Sequence, residues 1–153
     1  MAVIKSLEKI NLLNNVGIPE YYLGGNVEFL GKSWKNQGLG LSLSAKSYIQ
    51  NVIPKFEHLF GKQFKSIKTP MSEGYHPEID DLPLLSYEDS ARYRSIIGCC
   101  AWISVLCQFD AAFATPSMSR YIIRSPREDH LKADIKILSY RKAFPKRRII
   151  VDT

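Results

Sequence analysis

Residues 39 to 60 read LGLSLSAKSYIQNVIPKFEHLF, and the spacing of the apolar residues changes within this stretch. Leucine occupies every second position from 39 to 43, which is typical of a half-buried β-strand. From residue 49 to 60 the apolar side chains recur at helical spacing, which predicts an α-helix that Gly61 ends. The stretch therefore predicts a strand followed directly by a helix.

Two positions modify this predicted helix. Ser44 is the predicted N-cap, because its hydroxyl can accept a hydrogen bond from a free amide of the first turn. Pro54 lies inside the helical pattern, where it removes an amide donor and crowds the preceding turn. We therefore expect the helix to kink at Pro54 or to break into two pieces.

A second strand and another helix are predicted upstream. Residues 27 to 29 alternate between apolar and acidic side chains, so they pair with residues 39–43 in a β-hairpin whose polar tip covers residues 31–38. Apolar residues between Ala2 and Asn15 have near-helical spacing, which predicts a short N-terminal helix.

The second half of the chain is predicted to be mainly helical. Ser86 and Asp89 have the spacing of a capping box, and they precede apolar residues on one helical face: Tyr93, Ile96, Ile97, Cys100 and Ile103. This pattern predicts a long helix that begins after Ser86.

Further helix starts and one strand are predicted towards the end of the chain. Asp110 is a predicted cap for a short helix, in which Pro116 must lie in the first turn or bend the helix. Ser125 is the predicted N-cap of the next helix, which Pro145 ends. Residues 149–151 form a predicted strand.

These elements predict the α+β class, with an N-terminal helix and a β-hairpin, then a mainly helical region, then a short C-terminal strand. The predicted segments are residues 1–61, a proline-containing acidic connector over residues 62–86, and the helical region over residues 87–153.

The composition is that of one domain or a piece of one, with 153 residues of which 45% are hydrophobic. No apolar run is long enough to span a membrane, and the first residues lack the apolar core of a signal peptide, so we expect an intracellular protein. Three cysteines fit neither a disulfide framework nor a paired metal site, and they are predicted to be small buried hydrophobic residues.

The net charge of +6 is distributed unevenly along the chain. Residues 1–68 contain nine lysines and four acidic residues, residues 69–91 contain six acidic residues and no lysine or arginine, and residues 92–153 contain twelve bases and five acids. Two basic segments on either side of an acidic loop are compatible with binding to a nucleic-acid backbone. A solvated charged surface without a ligand is the alternative explanation.

No catalytic or metal-ligating group is predicted. Asp80 and Asp81 lie between two prolines and lack the flanking strands that a polymerase carboxylate pair needs, so we predict solvated loop acids. The histidines at 58, 76 and 130 lack the spacing of a zinc site. Neither a nucleophile elbow nor a phosphate-binding glycine loop is present in the sequence.

Several short motifs occur in a fixed order along the chain: Tyr21-Tyr22-Leu23-Gly24-Gly25, Leu41 to Ile49, Thr69-Pro70-Met71, Tyr93 to Gly98, Phe109-Asp110, Met118 to Tyr121 and His130 to Ala133. Together they resemble copia-type retrotransposon reverse transcriptase over nearly the whole chain. The resemblance implies a fragment of the Pol polyprotein that covers the primer-grip-like hairpin, the thumb and the connection. It also implies that the polymerase carboxylates lie upstream and that ribonuclease H begins near Thr153.

By this resemblance, residues 1–61 contain the end of the palm, the hairpin and the first thumb helix, and residues 87–153 contain the remaining thumb and connection. The implied partners are an RNA–DNA or DNA primer–template duplex and the missing palm and ribonuclease H domains, with no membrane. Mg²⁺ belongs to the complete family enzyme, and no cofactor is expected in this fragment. The element biology implies particles in the cytoplasm and DNA in the nucleus.

The same resemblance, with the charges, predicts these nucleic-acid contacts: Gly24, Gly25, Trp34, Lys46, Lys55, Arg94, Arg120, Arg124 and Lys132.

Alternatives remain for several of these residues. The Gly24-Gly25 step also fits a bulge in an ordinary hairpin, and Trp34 also fits a loop-tip side chain that packs back on the hairpin. Arg120 and Arg124 also fit structural ion pairs with an acid at 110, 128 or 129.

The chain departs from the family pattern near its end, where Ser139-Tyr140-Arg141-Lys142 replaces an expected Gly-Tyr-Leu-Lys. Arg141 therefore places a charge at an expected apolar position, which predicts weaker packing of the last helix.

The leading hypothesis is a fragment that holds a primer–template duplex and does not polymerise alone. The alternative is a structural or interaction relic of a transposable element that has no nucleic-acid role of its own, with an apolar face left by the missing palm. A domesticated small nucleic-acid-binding protein is a third hypothesis.

Overall fold

A computed structural model describes residues 21–22, 25–32 and 39–152 of the chain. It confirms the α+β class. The strands are β1 (Tyr21–Tyr22), β2 (Gly25–Lys32), β3 (Leu39–Ser44) and β4 (Arg148–Asp152), and the helices are α1 (Lys46–Phe60), α2 (Tyr87–Leu106), α3 (Ala114–Ser119) and α4 (Glu128–Ala143). Short 3₁₀ turns cover Pro77–Ile79 and Phe109–Ala111. The helix predicted over residues 2–15 lies outside the described residues.

The strands form one antiparallel sheet in the order β1-β2-β3-β4. Leu43 of β3 pairs with Val27 of β2 on one side and with Ile149 of β4 on the other. The predicted hairpin and C-terminal strand are therefore confirmed. The predicted alternation of leucine and serine along β3 is also present. The serine side of the strand is the more buried one, because Ser42 and Ser44 are buried while the neighbouring leucines are half-buried.

Helix α1 is capped from a neighbouring strand. The backbone amide of Ser47 donates to Asn26 Oδ1 at 2.8 Å, and Asn26 Nδ2 donates to Ser47 Oγ at 2.8 Å. The predicted Ser44 cap is wrong because Ser44 is the last residue of β3 and Ala45 occupies the N-cap position. An asparagine on β2 thus supplies the acceptor that the helix start needs.

The predicted break at Pro54 does not occur, since α1 is one continuous helix. Proline cannot donate to the carbonyl of Gln50, but both residues are exposed, so water can reach that carbonyl. The helix ends at Gly61 as predicted, with φ of 61° and a hydrogen bond from Lys62 N to Glu57 O of 3.1 Å. This is the geometry of a Schellman C-cap.

The capping box at the start of α2 is confirmed. Ser86 Oγ accepts a hydrogen bond from the backbone amide of Asp89 at 3.1 Å. The predicted apolar face is buried from Tyr93 to Ile103, and it packs with residues of α1, α3 and α4 in one hydrophobic core. Cys100 and Cys107 are free and buried, and burial raises the pKa of both thiols, which makes them poor nucleophiles.

Two predicted helix starts are wrong. Asp110 lies in a 3₁₀ turn and does not cap α3, because its carboxylate accepts hydrogen bonds from Tyr140 Oη and Arg147. Ser125 has φ of 58°, and α4 begins three residues later, at Glu128. The backbone amide of Arg127 donates to His130 Nδ1 at 3.0 Å, so a histidine side chain covers this helix start. Pro116 lies in the first turn of α3.

Arg141 is fully buried, as its expected apolar position requires. Its guanidinium donates to the backbone oxygen and side-chain oxygen of Gln108, both at 2.9 Å, and to Ser104 Oγ at 2.5 Å. These bonds offset part of the large cost of removing a charge from water. Desolvation by burial lowers the pKa of Arg141 from its usual value.

Asp134 on α4 is also fully buried, and neither carboxylate oxygen has a hydrogen-bond partner among the described residues. Burial raises the pKa of this carboxyl well above its ordinary value, so the neutral acid is favoured in the folded protein.

None of the helices in the described ranges is long and apolar enough to cross a membrane.

We expect Asn26→Ala to lower the free energy of unfolding by about 1 kcal/mol, because the first turn of α1 loses its side-chain acceptor. Chemical denaturation measures this change. The control is Asn51→Ala, which removes the same side chain at an exposed position of α1. It should change the free energy of unfolding by less than about 0.5 kcal/mol. Equal effects of both substitutions would contradict the cap.

We expect Asp134→Asn to stabilise the protein increasingly as pH rises from acid to neutral. Below the unfolded-state pKa both states hold the proton and the carboxyl has no linked effect. Above it the unfolded chain ionises while the folded carboxyl stays neutral, so wild-type stability falls until the raised pKa is reached. Denaturation of both proteins across this pH range tests the sign, and a difference that is constant with pH would refute it.

Candidate nucleic-acid interface

The structure separates the two predicted lysine contacts on α1. Lys46 is in the first turn and Lys55 in the third. Nine residues correspond to about two and a half turns, so the two side chains project from opposite sides of the helix. They cannot both contact one phosphate backbone that lies along a single face of α1.

The predicted glycine contact is described only in part. Gly25 is the buried first residue of β2, and it pairs with Tyr22. Gly24 and Trp34 lie outside the described residues. The irregularity of the β2–β3 ladder falls between Phe29 and Gly31, further along the strand than the glycine pair.

Arg94 and Arg120 are brought to the same end of the α2–α3 pair. Tyr93 Oη donates to the backbone oxygen of Met118 at 2.5 Å, which joins the end of α3 to the N-terminal half of α2. Both arginines are exposed, as is Arg124 in the following turn. Arg94 and Arg120 therefore follow the two residues that this hydrogen bond joins, and none of the three arginines is part of the core.

The ion pairs proposed for Arg120 and Arg124 are not found among the described residues. Asp110 is instead engaged by Tyr140 and Arg147. Asp129 lies 3.8 Å from Lys132, and that predicted contact residue therefore faces an acid. Lys132 lies on α4, where it borders a small pocket of about 120 Å³ that Met71 and Tyr75 line, whereas none of the three arginines belongs to α4.

Four exposed lysines lie between the third turn of α1 and Lys68, and only Lys55 among them is a contact predicted from the sequence. Lys55, Lys62, Lys65 and Lys68 are all exposed, and we name residues 55–68 the lysine segment. The excess of nine lysines over four acids in residues 1–68 was the signal that could have located it. Side-chain exposure, which depends on packing, decides which of those lysines are available.

Glu57 is the acidic residue within the lysine segment, and it is already occupied. Glu57 Oε1 accepts hydrogen bonds from Lys142 Nζ and from the backbone amide of Phe64, both at 2.6 Å. The hydrogen bond from Lys142 is the main reason that the pKa of Glu57 is lowered. The contact fixes the lysine segment against α4 and leaves its four lysines with no acidic partner in the described ranges.

Two other arginines that could have reached phosphates have structural partners. Arg92 lies 2.8 Å from Asp89, and its guanidinium carbon is 5.6 Å from the centre of the Phe60 ring. Arg127 Nη1 donates to the backbone oxygen of Leu82 at 2.6 Å. These contacts stabilise the junctions of α2 and α4 with neighbouring segments.

The prediction of two solvated acids is wrong for Asp80, whose side chain is only 4% exposed. Asp80 Oδ1 accepts the amide of Leu82 at 2.9 Å, and Oδ2 lies 3.8 Å from His130 Nε2. Asp81 is exposed, as predicted. The described residues hold no group of three potential metal ligands around this pair.

His130 holds the acidic connector on α4. Its Nε2 lies 2.9 Å from the backbone oxygen of Pro77, Nδ1 accepts from Arg127, and the ring stacks on Tyr121 with centroids 4.1 Å apart. Because Nδ1 accepts, Nε2 carries the proton and donates to Pro77. One histidine thus fixes both a helix start and the turn that contains Asp80.

We expect His130→Ala to release the turn around Asp80. Amide exchange at Ile79 and Leu82 should become about tenfold faster, equivalent to roughly 1.4 kcal/mol of local stability. Hydrogen exchange followed by mass spectrometry measures this, with peptides from the middle of α2 as an internal reference. His58→Ala, at an exposed site, is the control. Unchanged exchange at both amides would show that the histidine does not hold the turn.

Comparison of the chain with models of known protein families, with curated proteins and with solved structures finds no match.

Proposed function

We propose that this chain binds a nucleic-acid duplex through its basic surface, as the hairpin, thumb and connection of a copia-type reverse transcriptase. The order of motifs supports the family part of the proposal. A β2–β3 hairpin followed directly by a long helix supports it as well, because that order fits a primer-holding hairpin and a first thumb helix.

The lysine segment is the observation that carries the binding proposal. Four exposed lysines lie within fourteen residues, and the one acid among them is neutralised by Lys142. A lysine that has no acidic partner can bind a phosphate without first breaking an ion pair of the fold. Its binding releases counterions that were condensed on the nucleic acid, which favours the complex. Phosphate is the ligand that such a surface favours.

These lysines are expected to position a duplex without reading its sequence. A lysine ammonium is a flexible point charge, which suits phosphate oxygens in many geometries and does not discriminate bases by itself. A second group of exposed bases lies near the N-terminal half of α2 and consists of Arg94, Arg120 and Arg124. These arginines would add phosphate contacts if a duplex extends to that part of the surface. The proposal therefore includes affinity for duplexes of any sequence and strong dependence on salt.

We propose no chemical step for this chain. The Asp80 side chain is buried and accepts the amide of Leu82, whereas Asp81 is exposed, so we do not expect the two carboxylates to hold metal ions for phosphoryl transfer. Primer extension on an RNA template with Mg²⁺ should therefore fail with the purified chain. Extension by this chain alone would contradict the assignment.

The binding proposal predicts micromolar, salt-dependent affinity for a labelled RNA–DNA hybrid. The logarithm of the association constant should fall linearly with the logarithm of salt concentration, with a slope of about 0.7 to 0.9 for each phosphate contacted. Fluorescence anisotropy across a salt series measures the slope, and duplex DNA is the comparator. Absence of binding at low salt would refute the proposal.

The double substitution Lys62→Glu with Lys65→Glu tests which surface is used. It should weaken hybrid binding at least about tenfold. The slope of log association constant against log salt concentration should fall by the amount that corresponds to about two phosphate contacts. Lys132→Glu with Lys136→Glu changes the net charge equally on α4 and is the matched control. Equal weakening by both pairs would show that only total charge matters and that the lysine segment is not the interface.

A further inference from the structure

An apolar groove lies between α2 and α3. Its volume is about 370 Å³, and it is lined mainly by apolar side chains, among them Ile97, Ala101, Val105 and Phe109. Val105 is 70% exposed and Phe109 is 62% exposed. Side chains of this size normally lie in a core or an interface, so the groove is a candidate binding surface.

The groove has a basic end. Arg94 precedes Ile97 by three residues and therefore lies on the same side of α2. Arg120 directly follows Ser119, which lines the groove, and the hydrogen bond from Tyr93 to Met118 brings the two helices together at this point. Neither arginine forms an ion pair with another residue of the described ranges. An apolar groove with this end fits a segment that combines apolar side chains with carboxylates.

The chain itself presents such a segment. We name residues 78–87 the acidic strip. Three of its apolar side chains are exposed, namely Ile79 at 70%, Leu84 at 58% and Tyr87 at 86%. Glu78 and Asp81 are exposed beside them. The strip therefore carries both chemical features that complement the groove.

The acidic strip cannot fill the groove of its own molecule. Tyr87 begins α2 and Ala101 lies fourteen residues further, a distance of about 21 Å along the helix axis. The strip is also pinned to the start of α4 by hydrogen bonds from Leu85 N to Pro126 O at 2.9 Å and from Glu128 N to Pro83 O at 3.1 Å. Its exposed side chains therefore remain available to another molecule.

We propose that two copies of this chain associate by a contact in which the acidic strip of one copy lies in the α2–α3 groove of the other. Ile79 and Leu84 cover the apolar floor, and Glu78 and Asp81 pair with Arg94 and Arg120. The contact joins two different surfaces, so it closes as a reciprocal dimer or continues to further copies. It does not use the lysine segment, which carries the duplex-binding proposal, but it shares Arg94 and Arg120 with the additional phosphate contacts of that proposal.

Sedimentation velocity over a range of protein concentrations tests the contact. The wild-type chain should associate reversibly, and higher salt should weaken the association. Ala101→Glu places a carboxylate in the groove at an exposed helix position, and it should raise the dissociation constant at least about tenfold. Ser95→Glu adds the same charge to α2 outside the groove lining and should have much less effect. A wild-type chain that stays monomeric, or equal effects of the two substitutions, would overturn the proposal.

A mixing experiment tests the pairing of the two surfaces. The double substitution Arg94→Glu with Arg120→Glu reverses the charge at the end of the groove. The double substitution Glu78→Lys with Asp81→Lys reverses the charge of the acidic strip. Each double variant should be monomeric alone, and an equal mixture should associate again, because each groove then meets a strip of opposite charge. No recovery in the mixture would contradict the pairing.

The measurements distinguish failure of the self-association proposal from failure of the duplex-binding proposal. Ala101→Glu leaves the lysine segment intact, so it should retain hybrid binding within about twofold while losing self-association. Loss of both properties together would indicate damage to the fold, which circular dichroism of the variant detects. In that event Val105→Glu replaces it as the groove variant, since Val105 is also exposed and lines the groove.

Discussion

The buried guanidinium of Arg141 fixes the relation between α4 and the turn that joins α2 to α3. Its partners Ser104 and Gln108 lie at the end of α2 and just beyond it. Gln108 Nε2 in turn donates to the backbone oxygen of Phe144 at 2.9 Å, so contacts run in both directions across this junction. Removing a partner would leave a charge buried and unpaired, a change that typically costs several kcal/mol. The turn, the start of α3 and one side of the groove therefore depend on an interaction that an apolar residue at position 141 could not make.

Helix α4 repeats this use of polar side chains along its length. His130 at its start holds the acidic connector, and Lys142 near its end holds the lysine segment through Glu57. Between them Asp134 is buried with no hydrogen-bond partner in the part of the chain that the structure describes, and burial favours its neutral form. Side chains of one helix, together with backbone hydrogen bonds, thus hold connectors that have little regular structure of their own. Because Glu57 is already paired with Lys142, it does not pair with the exposed lysines of the lysine segment.

The parts of the fold that could be predicted are those in which local sequence and final packing agree. Helix α2 has a capping box and a buried face at helical spacing, and both lie within its own sequence. The cap of α1 could not be found in the same way, because Asn26 lies 21 residues from Ser47 and reaches it only when the strand is folded against the helix. Asp80 looked like a solvated loop acid for the same reason, since His130 covers it from fifty residues away.

The candidate site was predictable only as an excess of charge. Composition located the bases in two segments, but it could not separate Arg92 and Arg127, which have structural partners, from the exposed lysines of the lysine segment. That separation depends on where Glu57 and Asp89 lie after folding. Ion pairs with lysine or arginine engage Glu57 and Asp89 among other acids of the described ranges, and the unpaired bases contribute most to the positive field that a polyanion meets.

The net charge of +6 acts oppositely on the two proposed associations. It attracts a nucleic-acid backbone from a distance, whereas it makes two copies of the chain repel one another before their complementary surfaces meet. A bound duplex would neutralise part of this charge at the lysine segment and leave the apolar groove uncovered. Duplex binding should therefore lower the electrostatic penalty for self-association, and this coupling should vanish at high salt because screening removes the repulsion that the duplex relieves. Assembly of several copies along one duplex follows from these charges if both surfaces act as proposed.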